Sequence, residues 1–284
     1  MRLDGRRESD NVEDRRGKGA GGKATLGIGG LIITGLIVWL MGGNPLEVVT
    51  QQVSQSTQQE GTYVPTAEEE EAATFSKRIL AGTEDVWTEV FRQNGLTYTP
   101  PKMVLFSGSV QSGCGNASAA TGPFYCSADQ ALYIDLSFFK QMQTQLDAGG
   151  DFAYAYVIAH EVGHHVQHLL GTLDKIHREQ QRVSEKESNQ LSVRLELQAD
   201  FYAGIWAYYD NKNFTSIEDG DIEEGLNAAT QIGDDRLQMQ AQGYTVPDSF
   251  NHGTSAQRAR WLKKGLETGN LANGDTFSIP FSQL

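Results

Sequence analysis

The stretch DFAYAYVIAHEVGHHVQHLLG (residues 151–171) limits what this chain can fold into more than any other. Its first nine residues are apolar almost all round, the pattern of a helix buried at the centre of a domain. Four of the chain's six histidines follow, His160, His164, His165 and His168, with Glu161 among them. Histidines are costly to bury without partners, so the helix must be surrounded by groups that engage them. Gly163 costs about 1 kcal/mol relative to alanine inside a helix, and a closely packed neighbour explains its use. Gly171 is a standard helix terminator.

Residues four apart share one helix face. His160 and His164 meet that spacing in an H-E-x-x-H pattern, and two imidazoles one turn apart can reach a single zinc ion at about 2.0–2.1 Å. Glu161 then projects toward the open side of the metal. There it can take a proton from the attacking water and deliver it to a leaving amine. With His160 at 0°, His164 projects at about 40°, His168 at about 80° and His165 at about 140°. His165 therefore points away from the metal. His168 lies a full turn beyond His164, and pairing it with His164 instead would leave Glu161 in the wrong place for a base, so it is assigned to the rim. His177, in the polar segment LDKIHREQQRVSEKES, is expected to be exposed.

A catalytic zinc needs a third protein ligand and keeps a position for water. In RLELQADFYAG, Glu196 and Asp200 are again four apart, in surroundings too apolar for two unpartnered acids. Glu196 is assigned as the third ligand. Asp200 is assigned outside it, accepting the free ring N–H of a ligating histidine and fixing its tautomer. The reverse assignment, with Asp200 as ligand, remains chemically open.

Charge divides the chain. Residues 1–23 carry seven basic and five acidic residues, a net of +2, while the whole chain has a net charge of −13. That balance argues against a nucleic-acid partner, which selects for a basic face. Between Lys23 and Glu47 lie 23 consecutive uncharged residues, ATLGIGGLIITGLIVWLMGGNPL. A transmembrane helix needs about 20, and the basic flank RRGKGAGGK would keep the preceding tail in the cytoplasm. The expectation is a disordered cytoplasmic tail (1–23), a transmembrane helix (24–43), a Gln/Ser/Thr-rich linker (44–65) and an exported domain (66–284). Cys114 and Cys126, the only cysteines, are then expected to form a disulfide on the oxidising side of the membrane.

Within the domain, Thr66 and Glu69 form a capping-box pattern for a helix running to about Asn94, with Gly82 as a candidate break. KMVLF (102–106) and ALYIDL (131–136) read as strands. Helical patterns follow at roughly 137–147, 151–170, 172–209 with a break, 217–231 and 254–268. The fold class is α+β, mainly helical with a small sheet.

Together AHEVGHHVQHLLG, ELQADFYAG, the Cys114–Cys126 segment running into ALYIDLSFF, and the RRESDNVEDRRG start resemble the neutral zinc metallopeptidase family of bacteria. The pairing of HExxH with ExxxD also resembles the wider glutamate-type zincins, including the membrane-bound prenyl-protein and stress-response endopeptidases. The resemblance implies a zincin-like domain with a Zn2+ cofactor and an edge strand that pairs with an extended peptide substrate. ALYIDL is the expected edge strand. NHGTSAQRARW looks like the His-containing motif of those membrane endopeptidases, although the usual proline after the histidine is missing. It implies places near the site for His252 and Arg258, where such groups steady the developing oxyanion or the glutamate ligand.

The sequence thus reads as a zinc-dependent endopeptidase anchored by a single span in the bacterial inner membrane, with its N-terminus cytoplasmic, its catalytic domain extracytoplasmic and a peptide or protein as substrate. No specific protein partner is indicated. The competing reading is a non-catalytic zinc-containing binding or scaffold domain at the membrane surface. Glu161 argues against it, because a structural zinc site has no use for an unliganded carboxylate beside the metal.

Overall fold

The computed structural model describes residues 1–17 and 63–284. The expected transmembrane helix and nearly all of the expected linker lie outside these residues. Among the described residues, no helix is long and apolar enough to cross a membrane.

A sheet with both faces covered organises one end of the domain. Strands β1 (Val12–Asp14), β2 (Lys102–Phe106), β5 (Phe124–Cys126) and β6 (Ala131–Asp135) lie in the order β1-β2-β6-β5. β1, β2 and β6 run parallel, and β5 is antiparallel to β6. Met103, Leu105, Leu132 and Ile134 face the main core, while Val104, Phe106, Ala131 and Tyr133 enter a second cluster with Val110 and Ala117 of the hairpin β3 (Ser109–Ser112) and β4 (Gly115–Ser118). Burial on both faces is why KMVLF and ALYID read as unbroken apolar runs rather than alternating ones. The expected disulfide is present: Cys114, in the hairpin turn, joins Cys126 at the end of β5.

The ALYIDL strand is not the edge strand. As β6 it is buried throughout and paired on both sides, and the edges are β1 and the short antiparallel strand β5. Full burial of a strand requires neighbours on both edges as well as both faces, which its apolar composition already implied.

Helices α1 (Ala67–Gln93), α2 (Ser137–Gln145), α3 (Asp151–Leu169), α4 (Thr172–Gln180), α5 (Glu185–Phe214), α6 (Asp221–Gln231), α7 (Asp234–Gln242) and α8 (Ser255–Thr268) make up the rest. α1 starts in the expected Thr66–Glu69 capping box. The anticipated break in 172–209 is the turn before α5, whose own capping box pairs Ser184 with Glu187. α7 has no counterpart in the sequence reading.

α5 is the spine against which α3 and α8 pack. A Cβ on Gly163 would sit 2.9 Å from the Ala199 carbonyl oxygen, so this glycine is what lets α3 close on α5.

The expected disordered tail is corrected for its described part. Residues 1–17 are docked on the domain: β1 pairs with β2, the Met103 N–H donates to Asn11 O at 2.8 Å, and the Arg15 N–H donates to Leu105 O at 2.8 Å. Arg6 reaches Asp210 of α5 at 2.7 Å, with the two side chains 11% and 1% exposed. Gly82 does not break α1. It makes room for this pair, because a Cβ there would lie 2.8 Å from the Arg6 guanidinium. The segment reads as disordered because it is polar and charged, yet Arg6 and Arg7 have partners more than seventy residues away in sequence.

Candidate metal centre

His160, Glu161 and His164 stand on α3, Glu196 and Asp200 on α5, and Arg258 on α8. Ring nitrogens of the two histidines and a carboxylate oxygen of Glu196 all lie within 4.8 Å of one another. His160 Nε2 is 3.1 Å from Glu196 Oε2, and His164 Nε2 is 3.3 Å from Glu196 Oε1. A tetrahedron of zinc–ligand bonds of 2.0–2.1 Å has edges of about 3.4 Å, so these separations suit that ion.

The outer nitrogens of both rings are also engaged. His160 Nδ1 donates to Asp200 Oδ1 at 2.8 Å. His164 Nδ1 donates to Gln167 Oε1 at 2.9 Å, and the Gln167 amide is oriented by its own donation to the Leu195 carbonyl. With Nδ1 so occupied, each ring leaves Nε2, the nitrogen facing Glu196, for a metal ion, the tautomer that ligation needs.

Charge gives a second test of fit. Glu161, Glu196 and Asp200 bring three carboxylates to the site and Arg258 one guanidinium. Two negative charges remain, which a divalent cation neutralises. Without such an ion the histidines take up that role. Burial disfavours a protonated His160, but Asp200 and Glu196 outweigh it and raise its pKa to about 10. Burial likewise opposes protonation of His164, and Glu196 overrides it in the same direction. Burial alone would raise Glu196, but the two histidines hold it well below the ordinary carboxylate range.

Asp200 is completely buried and fully used. Besides His160 it accepts hydrogen bonds from the Tyr156 hydroxyl at 2.5 Å and from Arg258 Nε and Nη2 at 2.9 and 3.0 Å. Burial would raise its pKa, but Arg258 and His160 bring it down to about 2. Asp200 therefore stands behind His160, and Arg258 (3% exposed) stands behind Asp200. Glu161 differs in kind. It is 8% exposed, opens onto the cleft and has no hydrogen-bond partner among the described residues. Burial raises its pKa above the usual carboxylate value while the two histidines pull it down.

The cleft in front of the trio has a volume of about 390 Å³. β5 and the turn before it form one wall, with Gly122, Phe124 and Tyr125 lining it, and Leu173 and Leu195 also line the cleft. His252 also lines the cleft, in the loop between α7 and α8. Asp234, the first residue of α7, accepts from His252 Nδ1 at 3.1 Å and from the His252 backbone N–H at 2.7 Å.

The remaining histidines separate as the helical angles require. His165 is fully buried, donating from Nε2 to the Thr99 carbonyl at 2.7 Å and meeting the Tyr125 hydroxyl at Nδ1, 2.9 Å away. It ties β5 to α3. His168 lies with its Nδ1 3.5 Å from Asp174, outside the trio, and His177 is exposed at the cleft mouth.

Tyr156, Gln167 and Asp234 escaped the sequence reading. Tyr156 and Gln167 sit four residues before His160 and three after His164, so helical spacing could have placed them. Asp234 is brought to His252 by tertiary packing alone.

Comparison with known proteins agrees with this geometry. The chain is 49% identical over 285 residues to the "Uncharacterized protein YpfJ" of Escherichia coli (strain K12), a match covering 98% of this chain and 99% of that protein. It is 46% identical over 191 residues to the "Uncharacterized protein Rv2575" of Mycobacterium tuberculosis (strain ATCC 25618 / H37Rv), covering 64% of each chain. No solved structure matches. The sequence profile of the family described as "Putative neutral zinc metallopeptidase" matches residues 1–277, and the chain belongs to that family.

Proposed function

We propose that the protein is a membrane-anchored zinc-dependent endopeptidase in which His160, His164 and Glu196 hold the metal and Glu161 is the general base. The supporting observation is the juxtaposition of a convergent His/His/Glu trio with a buried, unpartnered carboxylate that opens onto the same cleft. Zinc bound to the trio supplies a Lewis acid that polarises the scissile carbonyl and acidifies the attacking water.

The protein groups do the rest. Glu161 accepts the proton of the attacking water and returns it to the departing amine, and its burial-raised pKa suits both steps. Asp200 holds the His160 ring in its ligating tautomer, and Arg258 and Tyr156 hold Asp200. His252, held at Nδ1 by Asp234, lines the same cleft, and in its doubly protonated form it would donate from Nε2 to the oxygen that becomes negative in the tetrahedral intermediate. An extended substrate peptide adds to the open edge of β5 and so runs past the trio along the cleft wall. The disulfide supports an extracytoplasmic place for the domain.

The test uses the purified full-length chain loaded with zinc. Glu161→Gln is expected to retain zinc and lose hydrolysis of an unfolded protein such as casein, whereas His160→Ala and His164→Ala are expected to lose the metal. Undiminished hydrolysis by Glu161→Gln sinks the assignment of the base. A zinc-loaded wild type without hydrolysis favours the binding or scaffold reading.

A further inference from the structure

The N-terminal segment and the zinc domain form one folded body, and this decides how the chain can meet a membrane. Five of the seven basic residues before the uncharged run are paired with carboxylates. Arg2 meets Glu218 at 3.3 Å, Arg6 meets Asp210 at 2.7 Å, and Arg7 meets Glu84 at 2.8 Å and Asp85 at 2.6 Å. Arg15 pairs with Glu13 at 2.8 Å, and Arg16 with Asp14 at 2.6 Å and Glu70 at 2.9 Å. The Met1 ammonium lies 3.1 Å from Asp221. Of the charges that read in the sequence as a cytoplasmic retention signal, Arg15 and Arg16 are therefore matched within the fold.

The described residues nearest the run on its two sides also meet. Gly17 and Tyr63 are in contact, and a Cβ on Gly17 would come 2.5 Å from the Tyr63 side chain. A helix crossing a bilayer once delivers its ends to opposite faces of a hydrocarbon core about 30 Å thick. Paired strands lie about 4.8 Å apart, and the β1–β2 ladder cannot form across that gap. Nor can the polar stretch QQVSQSTQQEGT carry the chain back through hydrocarbon, because its amides would lose their hydrogen bonds to water.

We propose that residues 1–17 and the zinc domain lie on the same side of the membrane. This replaces the single span, with the N-terminus and domain on opposite sides, expected from the sequence. It holds whether or not the site cleaves peptides.

The experiment places one cysteine at a time in the full-length chain, at Asp4 (Asp4→Cys) or at Gln240 (Gln240→Cys), both exposed, with the native cysteines protected in their disulfide. A membrane-impermeant maleimide is applied to intact spheroplasts and to inverted vesicles of the same cells. Both positions are expected to label in the same preparation. Labelling of Asp4→Cys and Gln240→Cys from opposite sides overturns the proposal. A second measurement guards against a poorly folded variant: Arg6→Glu is expected to lower the thermal midpoint of the purified full-length chain, and adding Asp210→Arg to recover part of the loss. Strictly additive losses in the double variant likewise overturn it.

Discussion

Helix α5 carries two buried aspartates about 15 Å apart along its axis, each held by an arginine from elsewhere in the chain. Asp200 is held by Arg258 of α8, and Asp210 by Arg6 of the N-terminal segment. The two pairs are chemically alike but have different surroundings. Asp200 also accepts from His160 and Tyr156 and sits one residue behind a cleft, so its charge fixes a potential metal ligand. Asp210 has Arg6 in a space left by Gly82, so its charge fixes a strand at the far edge of the sheet. A buried ion pair is thus not by itself the mark of a functional site. What distinguishes the pair at the candidate site is a third partner that faces an opening.

The largest contrast should appear between buried glutamates at the two ends. Glu161→Gln should lower turnover by about 10²–10⁴-fold, the usual range for a general base. Glu84→Gln, which alters the carboxylate receiving Arg7, Ser9 and Asn11, should leave turnover unchanged. Steady-state hydrolysis with zinc content checked in parallel measures both, and equal losses would erase the distinction.

Next in size are the arginines. Breaking a buried pair by removing one partner costs about 3–5 kcal/mol, so Arg6→Ala and Arg258→Ala should both lower the denaturant midpoint. Only Arg258→Ala should also weaken zinc binding. A loss of zinc affinity in Arg6→Ala would show that the two ends are coupled along α5.

His165 supplies a pH test at the site end. Burial pushes its pKa down to about 4, against about 6.5 for an unfolded histidine. Between these values only the unfolded chain holds the proton. The contribution is therefore complete above about pH 6.5 and falls away toward pH 4, by on the order of 3 kcal/mol. His165→Gln should flatten that part of the stability–pH curve, and an unchanged curve would show that the ring titrates normally.

The ligand-orienting role comes next. Asp200→Asn should reduce zinc affinity by about 10–100-fold, and Asp210→Asn should leave it alone, as competition with a chelator would report. The smallest expected effect is in Tyr125→Phe. It removes the hydroxyl between β5 and His165 and should cost about 1 kcal/mol in chemical denaturation.

The site was legible in sequence because its members recur at helical spacing. His160 with His164, and Glu196 with Asp200, share faces, and Gly163 marked the close approach between the two helices. The paired cysteines and the capping boxes at Thr66 and Ser184 are local signals of the same kind. The docking of residues 1–17 gave no such signal. VED holds a single apolar residue, and Arg6 and Asp210 are 204 positions apart. The edge strand was misplaced for a related reason: composition marks ALYID as buried but cannot say which neighbour closes its second side.

The sequence by itself therefore determined the metal-ligand candidates, the candidate base and the mainly helical class, because helical periodicity converts spacing directly into a shared face. Only the tertiary structure decided that β5 is the edge along the cleft, that Asp234 holds His252, and that the first seventeen residues belong to the domain. Those features rest on ion pairs and strand pairings between distant segments, and charge or hydropathy along the chain does not record which distant partner a side chain will meet.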